Sequence, residues 1–176
     1  MSLRDYDTEY NLTGMISRPL YFGLAVNIMV PVGLLFVCYW INQRYFIENR
    51  VPEWSNILFY FFVALSLVQA GAALWWRQKR FAEPMVRRPE TFEADIAARV
   101  MVLSKPIFLL IASISLWTYV HYFLTGRFHE AAVFVVFSFI VFQVVRPRYG
   151  SLQRLIAQQK KMVDKGQFYQ GPGLLG

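Results

Sequence analysis

The sequence predicts an all-α integral membrane protein with four transmembrane helices, and three observations lead to this fold class. Four apolar stretches fill most of the chain, their centres contain no Asp, Glu, Lys or Arg, and the chain is 56% hydrophobic but only 16% charged. Soluble domains carry roughly 25% charge. A spanning helix needs about 20 mostly apolar residues, and the stretches do not alternate as barrel strands do. We place the spans at about 20–42, 55–76, 106–126 and 130–145, which together form a transmembrane domain over 20–145.

The first element is preceded by a polar N-terminal tail, residues 1–19. Three acids in its first nine residues argue against a secretory signal and against an organellar transit peptide. The first apolar stretch is too long for a signal sequence, so we expect a retained anchor. Pro31 lies inside it and predicts a kink.

The distribution of positive charge predicts the orientation of the four spans. The two tails and the connection between the second and third spans hold 15 of the 18 Lys and Arg, and the other two connections hold three. The positive-inside rule therefore predicts that both termini lie on the inner side. That side is the cytoplasm for a bacterial membrane and the matrix for a mitochondrial inner membrane.

The net charge of +7 follows from this asymmetry. The basic residues flank the spans and do not form a stripe with interleaved aromatics, so we do not expect a nucleic-acid partner. Anionic phospholipid head groups are the expected partner, although the charges can also serve as a topology signal alone. The predicted head-group contacts are Arg18, Arg77, Lys79, Arg80, Arg146 and Arg148.

Two connecting segments are predicted to be amphipathic surface helices. In the middle connection, Pro89 followed by acids is a helix-start signal, and apolar residues share one face over about 89–103. The basic C-terminal tail, 146–176, has a similar apolar stripe from Ser151 to Lys165. We expect this second helix to lie on the membrane or to pack against a partner.

A weak internal repeat predicts two antiparallel hairpins. Ser17-Arg18-Pro19 precedes the first span and Ser104-Lys105-Pro106 precedes the third. Each triplet is followed by an apolar helix, an outer turn and a second helix, and parallel repeats of this kind occur in membrane proteins.

Polar and small residues inside the spans predict helix packing. Small residues let helices approach closely, and buried amides form hydrogen bonds between helices. Gln69, Gly71, Ala72 and Gln143 are therefore the predicted packing face, within the chain or toward a partner.

Candidate chemistry is sparse. No P-loop, dinucleotide fingerprint, HExxH or CxxC motif is present, so we do not predict an enzyme. The two histidines, His121 and His129, flank the third turn. Imidazole can bind haem or a metal, so these two residues are the candidate haem, metal or quinone site. The alternative is that both belong to the interfacial aromatic belt with Trp117, and then we expect no cofactor apart from bound phospholipid.

The first hairpin resembles the small membrane subunit of TRAP transporters. The resemblance rests on Arg44-Tyr45-Phe46, Pro52-Glu53-Trp54-Ser55 and Gly71-Ala72-Ala73, and the second half of the chain shows no matching motif. That family has four spans and both termini inside. The resemblance implies a subunit that braces a larger transport protein and contributes no substrate ligands.

The leading functional hypothesis is a non-catalytic accessory subunit of a large inner-membrane complex. The respiratory chain and ATP synthase are the expected hosts, and the work of the subunit is helix packing, lipid binding and assembly. The alternatives are the TRAP-like transporter subunit and a di-histidine haem or quinone-site protein.

Overall fold

A computed structural model describes residues 11–45 and 51–170, and the regular structure in these residues is helical, with no strand. Four of the helices are long and apolar enough to cross a membrane. This confirms the predicted all-helical class with four helices able to span a bilayer. The sides of the termini and the pairing into hairpins stay predictions. The helices are α1 (Leu12–Arg44), α2 (Ser55–Phe81), α3 (Phe92–Thr125), α4 (Phe128–Val145) and α5 (Tyr149–Asp164).

Helix α1 begins at Leu12, earlier than the predicted start at residue 20. The side chain of Asn11 caps it by accepting a hydrogen bond from the Gly14 backbone N–H at 2.9 Å. Residues 12–19, which we predicted to be part of a polar tail, are therefore helical. Residues 1–10 and 171–176 of the two predicted tails lie outside the described residues.

The middle of α1 contains a π-helical turn, Ala25–Met29, just before Pro31. Proline lacks an N–H and crowds the preceding turn, and a wider turn is one way for a helix to accommodate it. The Tyr119 hydroxyl of α3 donates a hydrogen bond to the Pro31 carbonyl at 2.9 Å. A π turn tied to α3 thus lies next to this proline, and the predicted kink of the helix axis stays a prediction.

Helix α3 runs without interruption from Phe92 to Thr125, after a single 3₁₀ turn at Pro89–Thr91. The helix predicted over 89–103 is present from Phe92 onward, but it is not a distinct surface helix, because it continues through Pro106 into the third span as one helix. The helix ends at Gly126, whose φ of 69° is the left-handed conformation that favours glycine.

Helix α5 confirms the predicted helix in the C-terminal tail, but its apolar face packs on the chain itself. That face joins the start of α1, the α2–α3 connection and the first turns of α3 in one buried cluster. The cluster consists of Leu12, Met15, Met85, Val86, Ile96, Val100, Leu152, Leu155 and Ile156. A surface location for α5 is therefore not needed to bury its apolar face.

The molecule has two ends, and α3 connects them. At the basic end, the start of α1, the α2–α3 connection and α5 meet around the cluster just described. At the turn end, the α3–α4 turn meets the start of α2, because Arg127 donates a hydrogen bond to Asn56. Between the two ends α3 packs against α1, α2 and α4, around a second core that includes Phe108, Ile111 and Phe142.

Candidate functional site

A buried polar network lies at the turn end. The side chain of His121 is 0% exposed, and its Nε2 atom lies 2.7 Å from Glu130 Oε2. Arg127 Nη1 is 2.9 Å from the other carboxylate oxygen of Glu130, and it also donates to Asn56 Oδ1 at 2.8 Å. One acid thus joins a histidine of α3 to an arginine of the turn, and that arginine reaches α2.

Aromatic rings surround the His121 imidazole on two sides. Phe59 and Phe62 of α2 and Phe134 of α4 have ring centroids 5.9, 6.2 and 6.1 Å from it. Nε2 is the ring nitrogen that forms the hydrogen bond with the Glu130 carboxyl group. Nδ1 is buried and has no partner among the described residues. Glu130, whose side chain is 29% exposed, is the member of the pair that reaches solvent.

The two histidines have different surroundings. His121 is buried and bonded to an acid, whereas His129 is exposed and stands beside the ring of Phe128. No group of three or more His, Cys, Asp or Glu residues that could hold a metal occurs in the part of the chain that the structure describes. The haem or metal hypothesis for this pair stays a prediction. The expectation that both belong to an exposed aromatic belt is wrong for His121.

The predicted packing residues fall into two groups. Gln69 forms hydrogen bonds between α2 and α3: its Nε2 donates to Ser113 Oγ at 3.2 Å, and its Oε1 accepts from Trp117 Nε1 at 3.1 Å. Gln143 is half-buried on α4. Gly71 and Ala72 are exposed, and a Cβ added at Gly71 meets no atom within 4 Å.

Within the chain, the small residues that α2 packs against its neighbours are Ala70 and Ala73, which are 7% and 0% exposed. The prediction that Gly71 and Ala72 pack within the chain is therefore wrong, because the face of α2 that packs against its neighbours carries Ala70 and Ala73 instead. Their second predicted role, contact with a partner, stays a prediction.

The predicted head-group contacts are all at the basic end, in different settings. Arg80 pairs with Glu83 at 3.3 Å, and Lys79 lies over the ring of Trp75. Arg18 lines a cavity that also contains acids. Arg146 is half-buried.

Arg77 lines a cleft between the end of α2, the middle of α3 and the start of α5. A second cavity adjoins this cleft and shares Arg77, Phe81, Ser151 and Leu155 with it, and it adds Arg154. We call the two cavities together the basic cleft. Arg148 is near enough for its positive charge to repel that of Arg77.

The sequence analysis missed one further site at this end, around Arg99. This residue is only 9% exposed, and its guanidinium lies 3.4 Å from the centroid of the Tyr169 ring. The Tyr169 N–H also donates to the Val86 carbonyl at 2.8 Å. The available signal was the position of Arg99 three residues after Ile96, which places both side chains on the same face of the helix.

Comparison with known proteins gives no match for this chain among family models, curated proteins or solved structures.

Proposed function

We propose that this protein is a non-catalytic structural subunit of a larger inner-membrane complex. The observation that supports the proposal is an outward stripe of small residues on α2. Gly71 and Ala72 are exposed between the exposed large side chains Val68 and Trp75, and Ala64 is exposed one turn before Val68 on the same side of the helix. Lipid chains conform to any apolar surface, whereas a second helix approaches closely only where side chains are small. We define this face as the α2 stripe.

The loose attachment of the second half of α1 also supports a partner in the membrane. In Val30–Arg44 only Pro31 and Cys38 are buried. The Tyr122 hydroxyl donates to the Cys38 carbonyl at 3.0 Å, which holds this half of α1 against α3. Most of its apolar surface faces away from the bundle and is available to lipid or to other subunits.

The expected hosts are the respiratory chain and ATP synthase, in a bacterial cytoplasmic membrane or a mitochondrial inner membrane. In this proposal both termini face the cytoplasm or the matrix, since most Lys and Arg lie at the basic end. The polar network at the turn end would fasten three elements of the bundle together. The proposed role does not assign a reaction to the chain.

The test is purification of the tagged full chain in mild detergent, followed by mass spectrometry and an absorption spectrum. Recovery in a large particle with redox or ATP-synthase subunits is the expected result. Recovery with one large transport subunit would support the TRAP-like alternative, and a Soret band from the isolated chain would support the haem alternative. Recovery of the chain alone and intact would contradict the proposal.

Substitution of Gly71 tests the α2 stripe directly. We expect Gly71→Leu to leave the melting temperature of the isolated chain unchanged, because the added side chain meets nothing within the chain, and to reduce recovery of the particle. Gly150→Leu is the matched control: Gly150 lies in the first turn of α5, outside the four spans, and its Cβ also meets nothing within 4 Å. Full recovery of the particle with Gly71→Leu, or equal loss with both variants, would contradict a role for the stripe.

A further inference from the structure

The basic cleft combines an apolar interior with a positively charged rim. Its interior is formed by apolar side chains of α2, α3, α4 and α5, and its rim by Arg77, Arg154, Gln158 and Ser151. Its interior side chains are Phe81, Val100, Ile107, Phe108, Val145, Leu152 and Leu155.

The cations of the cleft have no acidic partner. No Asp or Glu lines either cavity, and neither Arg77 nor Arg154 forms an ion pair with a described residue. Arg148 adds a third positive charge close to Arg77, and its Nη2 is held by the Gln143 carbonyl at 2.9 Å. Like charges held together raise the energy of the folded chain, and an anion between them offsets that cost.

Other arginines of the chain show that this arrangement is particular to the cleft. Arg80 pairs with Glu83, and Arg127 pairs with Glu130. The third cavity at the basic end places Arg18 in a setting that includes two acids, Glu93 and Asp95. Only in the basic cleft, among these cavities, do arginines converge without a carboxylate.

The chemistry of the rim selects a phosphate group. Guanidinium groups bind phosphate oxygens through two parallel N–H···O hydrogen bonds, and these charge-assisted bonds are stronger than neutral ones. Ser151 lies in the first turn of α5 and lines both cavities. The positive end of the helix dipole therefore also favours an anion at this rim.

The position of the cleft selects the source of that phosphate. Arg77 follows directly after the apolar part of α2, and Val145 is the last residue of α4. The rim is thus at the level where two spans leave the apolar layer, which is where lipid head groups lie. The apolar interior continues from the rim toward the second core, through Ile107 and Phe108, which belong to both.

We propose that the basic cleft binds the phosphate of an anionic membrane phospholipid, with Arg77 and Arg154 as its main ligands and the adjoining acyl chain against Phe81. The site is independent of any partner subunit, so it is measured on the isolated full chain. Its failure would leave the proposed subunit role intact, and loss of the particle would not affect it.

The experiment measures lipid binding to the detergent-purified chain by native mass spectrometry and by thermal shift, with phosphatidylglycerol as the probe. We expect the double variant Arg77→Gln, Arg154→Gln to bind it at least about tenfold more weakly than the wild type, because charge-assisted hydrogen bonds are lost. The matched control is Lys161→Gln, Lys165→Gln. It removes the same charge from exposed positions of α5 and the residue after it, outside the cleft, and we expect unchanged binding.

Four outcomes would overturn the proposal. Equal weakening in both double variants would show general attraction between charges. Equal binding of phosphatidylcholine would show that the site does not distinguish an anionic lipid from a zwitterionic one. An equal thermal shift with inorganic phosphate would show that the site binds a soluble anion. If the double variant does not fold, Arg154→Gln alone decides, because its exposed side chain is not needed for the core. Unchanged phosphatidylglycerol binding by that variant would exclude Arg154 as a ligand and overturn the proposal.

Discussion

The two ends of the bundle hold their charged groups in different ways. At the turn end, Glu130 is shared between His121 and Arg127, and Asn56 accepts a further hydrogen bond from the same arginine. At the basic end, the arginines of the basic cleft face each other without an acid. The first arrangement pairs its charged groups within the chain, and the second does not.

This difference indicates which end is structural and which end binds a ligand. A buried polar network whose members bond to one another stabilises the fold only if it stays intact, since an unpaired buried polar group is costly. Unpaired cations near a membrane surface add nothing to the fold and are stabilised by an anion from outside. Removing a polar group should therefore destabilise the chain at the turn end, whereas at the cleft it should change lipid binding.

The largest effect is expected from His121→Ala. The substitution removes a fully buried ring from between α2 and α4 and leaves Glu130 with one partner. By analogy with truncation of buried aromatic rings, we expect the free energy of unfolding in mixed detergent micelles to fall by about 3–5 kcal/mol. His129→Ala removes an exposed ring and is the control, with little expected change. Equal effects of the two substitutions would remove the distinction between the histidines.

An intermediate effect is expected from Gln159→Leu, which tests whether the basic end contains a structural joint apart from the cleft. Gln159 accepts a hydrogen bond from the Met85 N–H at 2.8 Å and donates to the Glu83 carbonyl at 3.0 Å. Leucine leaves a buried N–H without an acceptor, so we expect a loss of about 1–3 kcal/mol in the same measurement. Gln158→Leu, at the exposed neighbouring position, should have no comparable effect. A stable Gln159→Leu protein would show that the α5 joint depends on apolar packing alone.

The smallest changes in the free energy of unfolding are expected from replacing one arginine by glutamine at each end of the bundle, measured in detergent without phospholipid. Arg127→Gln breaks contacts with Glu130 and Asn56 at a partly exposed position, so we expect a loss of about 1 kcal/mol. Arg154→Gln breaks no ion pair with a described residue, and we expect a change within about 0.5 kcal/mol. A larger loss from Arg154→Gln than from Arg127→Gln would reverse the assignment of the two ends.

The sequence was sufficient for the four spanning helices, because length and apolar content decide which segments can span a bilayer. It was not sufficient for their faces. In a helix that is apolar all round, such as α2, no periodic pattern separates Ala70 and Ala73, which are buried, from Gly71, which is exposed. The choice between adjacent small residues depends on which neighbour the helix meets, and one sequence does not contain that information.

The buried network was also beyond the sequence, for a different reason. His121 and Glu130 lie on two helices, and the left-handed residue Gly126 between those helices turns the chain so that the two side chains meet. The pairing depends on the geometry of that turn, while the sequence shows only a histidine and an acid on either side of it. The basic cleft likewise forms only because α5 folds back against α2 and α3.

The continuity of α3 makes the chain sensitive to its own length. Residues of both cores lie on this one helix, Ile96 and Val100 at the basic end and Ile107 and Ile111 in the spans. An inserted residue turns the rest of a helix by about 100° and moves it by about 1.5 Å. One extra or missing residue between Val100 and Ile107 would direct one of the two apolar faces away from its core. A substitution in this stretch changes one side chain at a time. An insertion or deletion would displace all the residues that one of the two cores takes from α3.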